Sequence, residues 1–424
     1  MKISTTPPRG MRDILPQETE IRDFVFSRIL ETYRTYGFRH IETPALENIG
    51  LLTSGQGGEN EKLIFKILKR GEKLDLSSPA SADDLVDLGL RFDLTVPLTR
   101  YYANNRGQLP RVFKAIQIGS VWRAERPQRG RFRQFTQCDI DIIGVENELC
   151  EIELLTATAD ALLNIGFEDF VIRFNDRRIL TDLAQDCGFD ESAFEAVFIT
   201  LDKLDKVGVD GVQQELEASG HPADAIGKLM AVLAALSESP DHAAAKAALP
   251  ASVRPALFAA VDNVMDAVAA AAGGRYRIVF DPTLVRGMGY YTGQIFEIAY
   301  KDYPFSIAGG GRYDKMIGRM IGTDVPACGF SIGFERVITI LQEEAMAADT
   351  ETRRLALIVD PADPPAAAVA TATDLRTQGY AASLLPRQKK LGRQIAALKE
   401  DGYAFFCVFK PDSAEQAIEA VEAG

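Results

Sequence analysis

The stretch VFKAIQIGSVWRAERPQRGRFRQFTQCDIDIIG at 112–144 constrains the fold more than any other part of the chain. Val112–Ile118, Val121–Glu125 and Arg133–Ile143 each show strand-like alternation or apolar runs, and Pro127 and Gly130 put a loop in the middle. The pattern predicts two antiparallel strands side by side. Successive strand residues point to opposite faces. Arg123 and Glu125 on one arm, and Arg131 and Arg133 on the other, are therefore expected to share faces. Phe135 and Gln137 continue that alternation.

Around this pair the chain changes character several times. Residues 17–37 carry Ile21, Phe24, Ile29 and Tyr33 near one face of a helix, and Gly37 is placed to stop it. Arg39–Leu46 reads as a strand broken by Pro44, and Leu63–Ile67 as another, followed by a polar loop over Ser77–Asp84. Leu90–Leu94 reads as extended and Val96–Ala103 as helical. Residues 190–272 are alanine-rich with helical periodicity, which predicts a helical module inserted into a sheet domain. Strand patterning resumes at Arg277–Phe280, Thr292–Tyr300 and Ser306–Ala308. Residues 342–354 read as a helix end running into a linker. Beyond them, strands at 355–359, 380–385 and 403–409 alternate with helices at 366–378 and 391–399, the pattern of a small α/β domain. The chain is thus expected to divide into a domain over 1–341 and a short one over 355–424.

Charge narrows the chemistry. The 47 basic and 60 acidic residues leave a net charge of −13, which argues against non-specific nucleic-acid binding but not against a local basic site. Arg123, Arg126, Arg129, Arg131 and Arg133 crowd together in this acidic chain. Guanidinium forks match phosphate oxygens, so an arginine, an aromatic ring and an amide on one face suit a nucleotide. A solvated charged hairpin is the alternative. The cysteines, Cys138, Cys150, Cys187, Cys328 and Cys407, form no CxxC pair and no zinc spacing; reduced thiols in a cytoplasmic protein are expected. His40, His221 and His242 lie outside any catalytic-looking motif, which speaks against histidine acid–base chemistry. With 46% hydrophobic and 25% charged residues, the chain is neither disordered nor a disulfide scaffold. No run of about 18 uncharged apolar residues and no apolar segment in MKISTTPPRGMRD is seen, so no membrane span and no secretory signal are expected.

These residues also carry a resemblance. RxE at 123–125, a loop, then GRFRQF at 130–135 is similar to motif 2 of class II aminoacyl-tRNA synthetases. PPRGMRDILP at 7–16, RFDLTVPLTRYYA at 91–103 and LDKLDKVG at 201–208 resemble the histidyl-tRNA synthetase family. So do LVRGMGYYTGQIFEI at 284–298, AGGGRYDKMIG at 308–318 and ACGFSIGFERV at 327–337. The matches run in family order from residue 7 to about 337. The resemblance implies an α+β fold with an antiparallel six-stranded class II catalytic sheet and flanking helices, a helical insertion and a small C-terminal anticodon-binding α/β domain. It implies a homodimer joined partly through motif 1, with Pro44 as its proline. It also implies ATP, histidine and tRNA(His) as substrates, with Mg2+ on the outer phosphates and no metal held by the protein's own side chains.

Site residues follow from the same resemblance. Arg123 resembles the motif 2 arginine that binds the α-phosphate and the amino-acid carboxylate. Glu125 would contact the adenine side, Phe135 would stack on the base and Arg131 would reach the outer phosphates. Arg336 resembles the motif 3 arginine that holds the bent triphosphate. Arg286 resembles the second catalytic arginine of histidine enzymes, with a structural salt bridge as the alternative. Asp93 and Thr95 would grip the α-amino group. Gln137 and Asp141 alternate on one strand face, Asp141 toward the substrate imidazole, with Tyr291 and Tyr313 completing the pocket. Gly309–Gly311 would form a loop closing over histidine, and Gln128–Gly130 would meet the acceptor end of tRNA.

The chain also departs from the family. Gly289 stands where many members have aspartate, and Asp141 is one methylene shorter than the glutamate common there. The C-terminal domain is short and carries FKPDSAEQ where the family has a glycine-acid turn. Its basic cluster, Lys389, Lys390, Arg393 and Lys399, is a candidate for phosphate contact, or else a solvated helix face. Two other readings stay open. One is a non-catalytic paralogue acting as regulatory subunit of a short ATP phosphoribosyltransferase in histidine biosynthesis. The other is an RNA-binding module without chemistry. Retention of Arg123, Arg131, Arg286 and Arg336 favours the enzyme.

Overall fold

The structure is a computed structural model that describes all residues except 1–2, 54–57, 78–80, 129, 240, 287–288, 345, 347–352, 412, 414–415 and 422–424. The chain forms two compact units, Met1–Asp13 with Val25–Ala347, and Ile14–Phe24 with Ala348–Gly424.

Helix α1 (Pro16–Thr35) buries Val25, Ile29, Thr32 and Tyr33 at helical spacing, whereas Ile21 and Phe24 are only half-buried. The expected strand at 39–46 is two strands in different sheets, β1 (Arg39–His40) and β2 (Leu46–Asn48). Pro44 lies between them, and its missing N–H cannot join a ladder. After α2 (Ile49–Thr53), β4 (Val86–Leu90) pairs with both β2 and β3 (Lys66–Leu68) in a three-stranded antiparallel sheet. The extended reading of 90–94 is corrected. The strand stops at Leu90, and the Asp93 carboxylate accepts from Val96 N at 3.0 Å where α3 (Thr95–Asn105) begins.

The large sheet is built from β5 (Phe113–Trp122), β6 (Gln134–Ile143), β7 (Val171–Asp176), β8 (Arg277–Phe280), β9 (Gln294–Ala299), β10 (Ala308–Arg312) and β11 (Ala327–Gly333), with β1 at its edge. Its order is β1-β5-β6-β11-β10-β9-β7-β8. The central six strands are antiparallel throughout, while β1 and β8 add parallel edges. β5 runs unbroken through Gly119 and Ser120 instead of stopping at Ile118. The three glycines of β10 are strand, not loop. A Cβ on Gly310 would stand 2.0 Å from the Gly329 carbonyl oxygen, so only glycine allows this approach of β10 to β11.

Helices α4 (Leu149–Ile165) and α5 (Arg177–Cys187) precede the insertion. The insertion itself holds α6 (Phe194–Leu201), α7 (Leu204–Ala218), α8 (Ala223–Ser237), α9 (His242–Ala248) and α10 (Pro255–Ala272). A parallel pair needs a long crossover, and α5 with the insertion is the crossover from β7 to β8. α10 meets the length and composition needed to cross a membrane, but it carries Asp262 and Asp266 and so is not an uncharged apolar run. Its Leu257, Val261, Val264 and Val268 are buried, packed on α4 and β8, while Asp262 on another face pairs with Lys246 at 2.7 Å. Helices α11 (Lys315–Ile321) and α12 (Phe334–Glu343) complete this unit.

In the second unit β12 (Arg353–Val359), α13 (Pro365–Thr377), β13 (Tyr380–Pro386), α14 (Leu391–Leu398), β14 (Phe405–Val408) and β15 (Glu419–Ala420) follow one another. The sheet order is β13-β12-β14-β15, parallel except for β15. Period two divides β12 between two small cores. Leu355 and Leu357 face Ala368, Ala372 and Leu375, while Ala356 and Ile358 face Leu398 and Phe406. Most of the expected linker at 342–354 lies outside the described residues, although α12 reaches Glu343 and β12 begins at Arg353.

Candidate active site

A cavity of about 920 Å3 opens on the central strands of the large sheet, and all twelve site residues expected from the sequence line it. Strand parity explains the floor. Phe135, Gln137 and Asp141 occupy alternate positions of β6, so their side chains share a face. On β11, Gly329 stands opposite Asp141 and Ser331 opposite Asp139. A Cβ on Gly329 would be 2.0 Å from Asp141 Oδ1, and one on Gly309 would be 2.4 Å from the Arg286 guanidinium. Glycine at both positions makes room for the charged groups.

One end is cationic. Arg123 follows β5 directly; its Nε donates to the Phe92 carbonyl at 3.2 Å, and its guanidinium lies 4.4 Å from the Phe92 ring and 5.1 Å from Phe135. Arg336, in the first turn of α12, donates to the Ser306 carbonyl at 2.5 Å. Burial, and then the charges of Arg131, Arg286 and Arg123, push Arg336 down to about 10. Burial also holds Arg123 below the ordinary arginine value. Arg286 lies 2.9 Å from Glu297; burial pulls its affinity for protons down, and Glu297, Tyr291 and Asp202 together more than reverse this. Arg286 therefore has the ion pair that was the alternative to a catalytic role, and it still lines the cavity.

Arg131 and Glu125 pair at 3.4 Å on the wall of the cavity. The expectation that 123, 125, 131 and 133 stand on two strands is corrected. Ladder pairing ends at Trp122 and Gln134, and the residues between form an irregular loop with an isolated Gln128–Arg131 bridge. Arg133 turns back within it, donating from Nε to the Glu125 carbonyl at 3.0 Å. Pro127 and left-handed Gly130 interrupt the ladder there. Arg129 lies outside the described residues.

The other end is acidic. Tyr313 donates to Asp141 Oδ1 at 2.5 Å, and Asp141 Oδ2 is buried with no partner. Burial raises the Asp141 carboxyl from its ordinary 3.8 to about 7, against the Tyr313 hydrogen bond and with help from Asp93. Gln137 donates to Ser331 Oγ at 3.1 Å, leaving its buried Oε1 without a partner. Asp93 combines helix capping with a place on the wall, and Thr95 opens α3 beside it. Tyr291 is raised to about 12 by burial, against the Arg286 charge, and packs 4.8 Å from the ring of Tyr290.

Among the lining residues that sequence reasoning missed are Asp139, Asp202, Tyr290 and Glu297. Asp139 was available from the signal already used, because it lies between Gln137 and Asp141 with the same parity. Burial, and then Asp141, raise its carboxyl well above the ordinary value. Asp202 comes from the insertion, and no local pattern signals that it reaches Arg286. At the departing position, a Cβ on Gly289 would be 2.9 Å from Glu195 Oε1, so an insertion carboxylate stands beside the residue that lacks one. Among the described residues, no group of three or more His, Cys, Asp or Glu side chains is placed to hold a metal ion.

Cations at one end suit a polyphosphate, and carboxylates, an amide and tyrosines at the other suit a cationic, ring-bearing amino acid. The comparisons agree. The family model described as Histidyl-tRNA synthetase matches residues 10–337. The chain is 46% identical over 426 residues to "Histidine--tRNA ligase" of Leifsonia xyli subsp. xyli, covering 98% of this chain and 97% of that protein. It is 42% identical to "Probable histidine--tRNA ligase" of Tropheryma whipplei, covering 97% and 96%. The crystal structure of histidyl-tRNA synthetase from Nostoc sp. PCC 7120 matches with TM-score 0.78 and 26% identity, over 99% of this chain and 97% of that one. A Bacillus halodurans structure described as an ATP phosphoribosyltransferase regulatory subunit/histidyl-tRNA synthetase shares the fold, with TM-score 0.75 at 20% identity over 97% of this chain and 100% of that one. Fold, cavity and near-full-length likeness agree: the chain belongs to the histidyl-tRNA synthetase family.

Proposed function

We infer that the chain is a histidine--tRNA ligase, a class II aminoacyl-tRNA synthetase that activates histidine with ATP and transfers it to tRNA(His). The observation that carries this reading is one cavity with three half-buried arginines at one end and a set of buried carboxylates at the other. The likeness to relatives named as ligases over nearly the full length supports the ligase over the regulatory paralogue.

In the first step a histidine carboxylate oxygen bonds to the α-phosphorus and the bond to the β-phosphate oxygen breaks, giving histidyl-adenylate and pyrophosphate. Arg123 and Arg286 would meet the charge at the α-phosphate, and Arg336 with Arg131 the outer phosphates. Preplaced donors of this kind are worth roughly 3–4 kcal/mol each in a water-excluded site. Phe135 would stack on adenine, with Glu125 beside it. Asp93 and Thr95 would take the α-amino group. Gln137, Asp141, Tyr291 and Tyr313 would take the imidazole, whose two nitrogens a pocket can satisfy together. In the second step the terminal ribose hydroxyl of tRNA takes the acyl group and AMP leaves.

Mg2+ would arrive with the nucleotide. When bound it would screen the outer phosphates, and a hard cation that keeps several waters needs only one or two carboxylates besides them. Glu125 and Glu335 line the cavity and fit that need. The α/β unit at 355–424 would bind the anticodon, and the protein would work as a cytoplasmic homodimer. Exchange of labelled pyrophosphate into ATP is the test: it should require histidine, and charging should require tRNA(His). Exchange that is absent, or independent of histidine, overturns the reading.

A further inference from the structure

Arg286 lies outside any helix or strand, so its aim into the cavity depends on what holds it. Its head is held by Glu297. Arg286 Nη1 donates to Glu297 Oε2 at 2.9 Å, while Arg286 Nε is buried with no partner. Glu297 stands on β9, and its other oxygen, Oε1, accepts from Arg173 Nη1 at 2.9 Å. Arg173 and Glu297 are directly opposite each other on β7 and β9, where cross-strand side chains meet. The carboxylate end of a glutamate turns readily; pinning one oxygen fixes where the other lies.

The backbone approach to Arg286 leads to the same guanidinium. Asp281 follows β8 and turns the chain. Its Oδ1 accepts from Thr283 N at 2.9 Å and from Thr283 Oγ1 at 2.6 Å, and its carbonyl accepts from Leu284 N at 3.0 Å. Its other carboxylate oxygen, Oδ2, accepts from Arg173 Nε at 2.6 Å. A third carboxylate comes from the insertion: Asp205, in the first turn of α7, accepts from Arg173 Nη1 at 2.7 Å. Burial lowers the proton affinity of Arg173, and Asp281, Asp205 and Glu297 more than reverse this. One guanidinium therefore fixes both the turn that precedes Arg286 and the carboxylate that receives its head. A planar fork with several donors is suited to that task. We propose that Arg173 is a positioning residue for Arg286. The inference rests on the reading of Arg286 as a cation at the α-phosphate. Arg173 acts through Glu297 and Asp281, not on the reacting atoms.

The test is a double-mutant cycle on the full chain, read by histidine-dependent exchange of labelled pyrophosphate into ATP at saturating substrates. In the wild-type background Arg173→Gln should lower the rate at least about tenfold, because small displacements from the reacting geometry are costly. The KM values for histidine and ATP should stay within about twofold, the mark of an interaction made in the transition state. In the Arg286→Ala background the same substitution should change the residual rate by less than about twofold, because no guanidinium is left to place. An equal fold-loss in both backgrounds makes Arg173 a structural ion-pair partner and overturns the proposal, as does a wild-type rate in Arg173→Gln. If the glutamine variant does not fold, Arg173→Lys, which keeps the charge without the fork, goes through the same cycle. A several-fold loss that is absent in the Arg286→Ala background upholds the role; no loss, or the same loss in both, overturns it. A wild-type chain without histidine-dependent exchange would overturn the ligase reading and this role with it. Normal wild-type exchange beside equal losses in the two backgrounds overturns this role alone.

Discussion

The two ends of the large cavity are desolvated alike and respond in opposite directions. At the arginine end burial pushes Arg123 and Arg336 down, toward losing charge. At the carboxylate end it pushes Asp139 and Asp141 up, again toward losing charge. Each end is uncomfortable alone and is relieved by a ligand of opposite sign. A polyphosphate would relieve one and a cationic amino acid the other. The difference also shows how much glycine the site needs, because Gly309 and Gly329 clear space for one charged group at each end.

Removing a cation breaks the comparison most severely. Arg286→Ala should lower histidine-dependent pyrophosphate exchange by about 10²–10³-fold, the cost of losing one oxyanion donor. The fold should survive, because Glu297 keeps Arg173 at 2.9 Å as a partner. Thermal unfolding checks this. Arg286→Lys should also be poor, since a point charge does not reproduce a planar fork. Exchange within a few-fold of wild type at saturating histidine contradicts the role.

Gly329→Ala should disturb the other end only. The new methyl would stand 2.0 Å from Asp141 Oδ1 and displace the carboxylate. The KM for histidine should rise about tenfold or more, a loss on the scale of ~1.4 kcal/mol. Overpacking should cost about 1–3 kcal/mol of stability. An unchanged histidine KM would separate Asp141 from binding.

A smaller effect comes from pH. With Asp141 at about 7, its charged fraction in the free protein rises from roughly a tenth at pH 6 to roughly nine-tenths at pH 8. Histidine affinity should gain up to about tenfold from this group across that range, against the loss of the substrate's own imidazole charge. In Asp141→Asn only the opposing trend should remain. The sign for folding is opposite. A carboxyl raised above its unfolded value binds more protons when folded, so the ligand-free protein should lose stability from this group as pH rises from about 4 to 7. Chemical denaturation across that window checks it.

The smallest effect concerns the second unit. Lys389, Lys390, Arg393 and Lys399 are all exposed. If they touch tRNA phosphates, reversing their charges should weaken charging and flatten its salt dependence, by near one unit of slope per lost contact. Unchanged salt dependence would leave them a solvated helix face.

What the sequence revealed follows the range of the forces involved. Period two identified β6 and put Gln137 and Asp141 on one face, because strand geometry is local. Local chemistry also anticipated the break at Pro44. Motif resemblance supplied Arg286 and Arg336, which lie far from Arg123 in sequence and which no periodicity would have joined. Three outcomes depended on tertiary contacts. The Asp93 helix cap ended an apparently extended run, the glycines of β10 became strand through the approach of β11, and Asp202 reached the cavity from the insertion.

Asp141→Asn tests the division of the cavity most directly, with the KM for histidine and for ATP both measured by pyrophosphate exchange. The amide keeps the size and loses the charge at the buried carboxylate end. The KM for histidine should rise about tenfold or more while that for ATP stays within about twofold, a difference of roughly 1 kcal/mol or more between the two ligands. Equal losses for both substrates would contradict the account, because Asp141 would then support the cavity as a whole and not its histidine end.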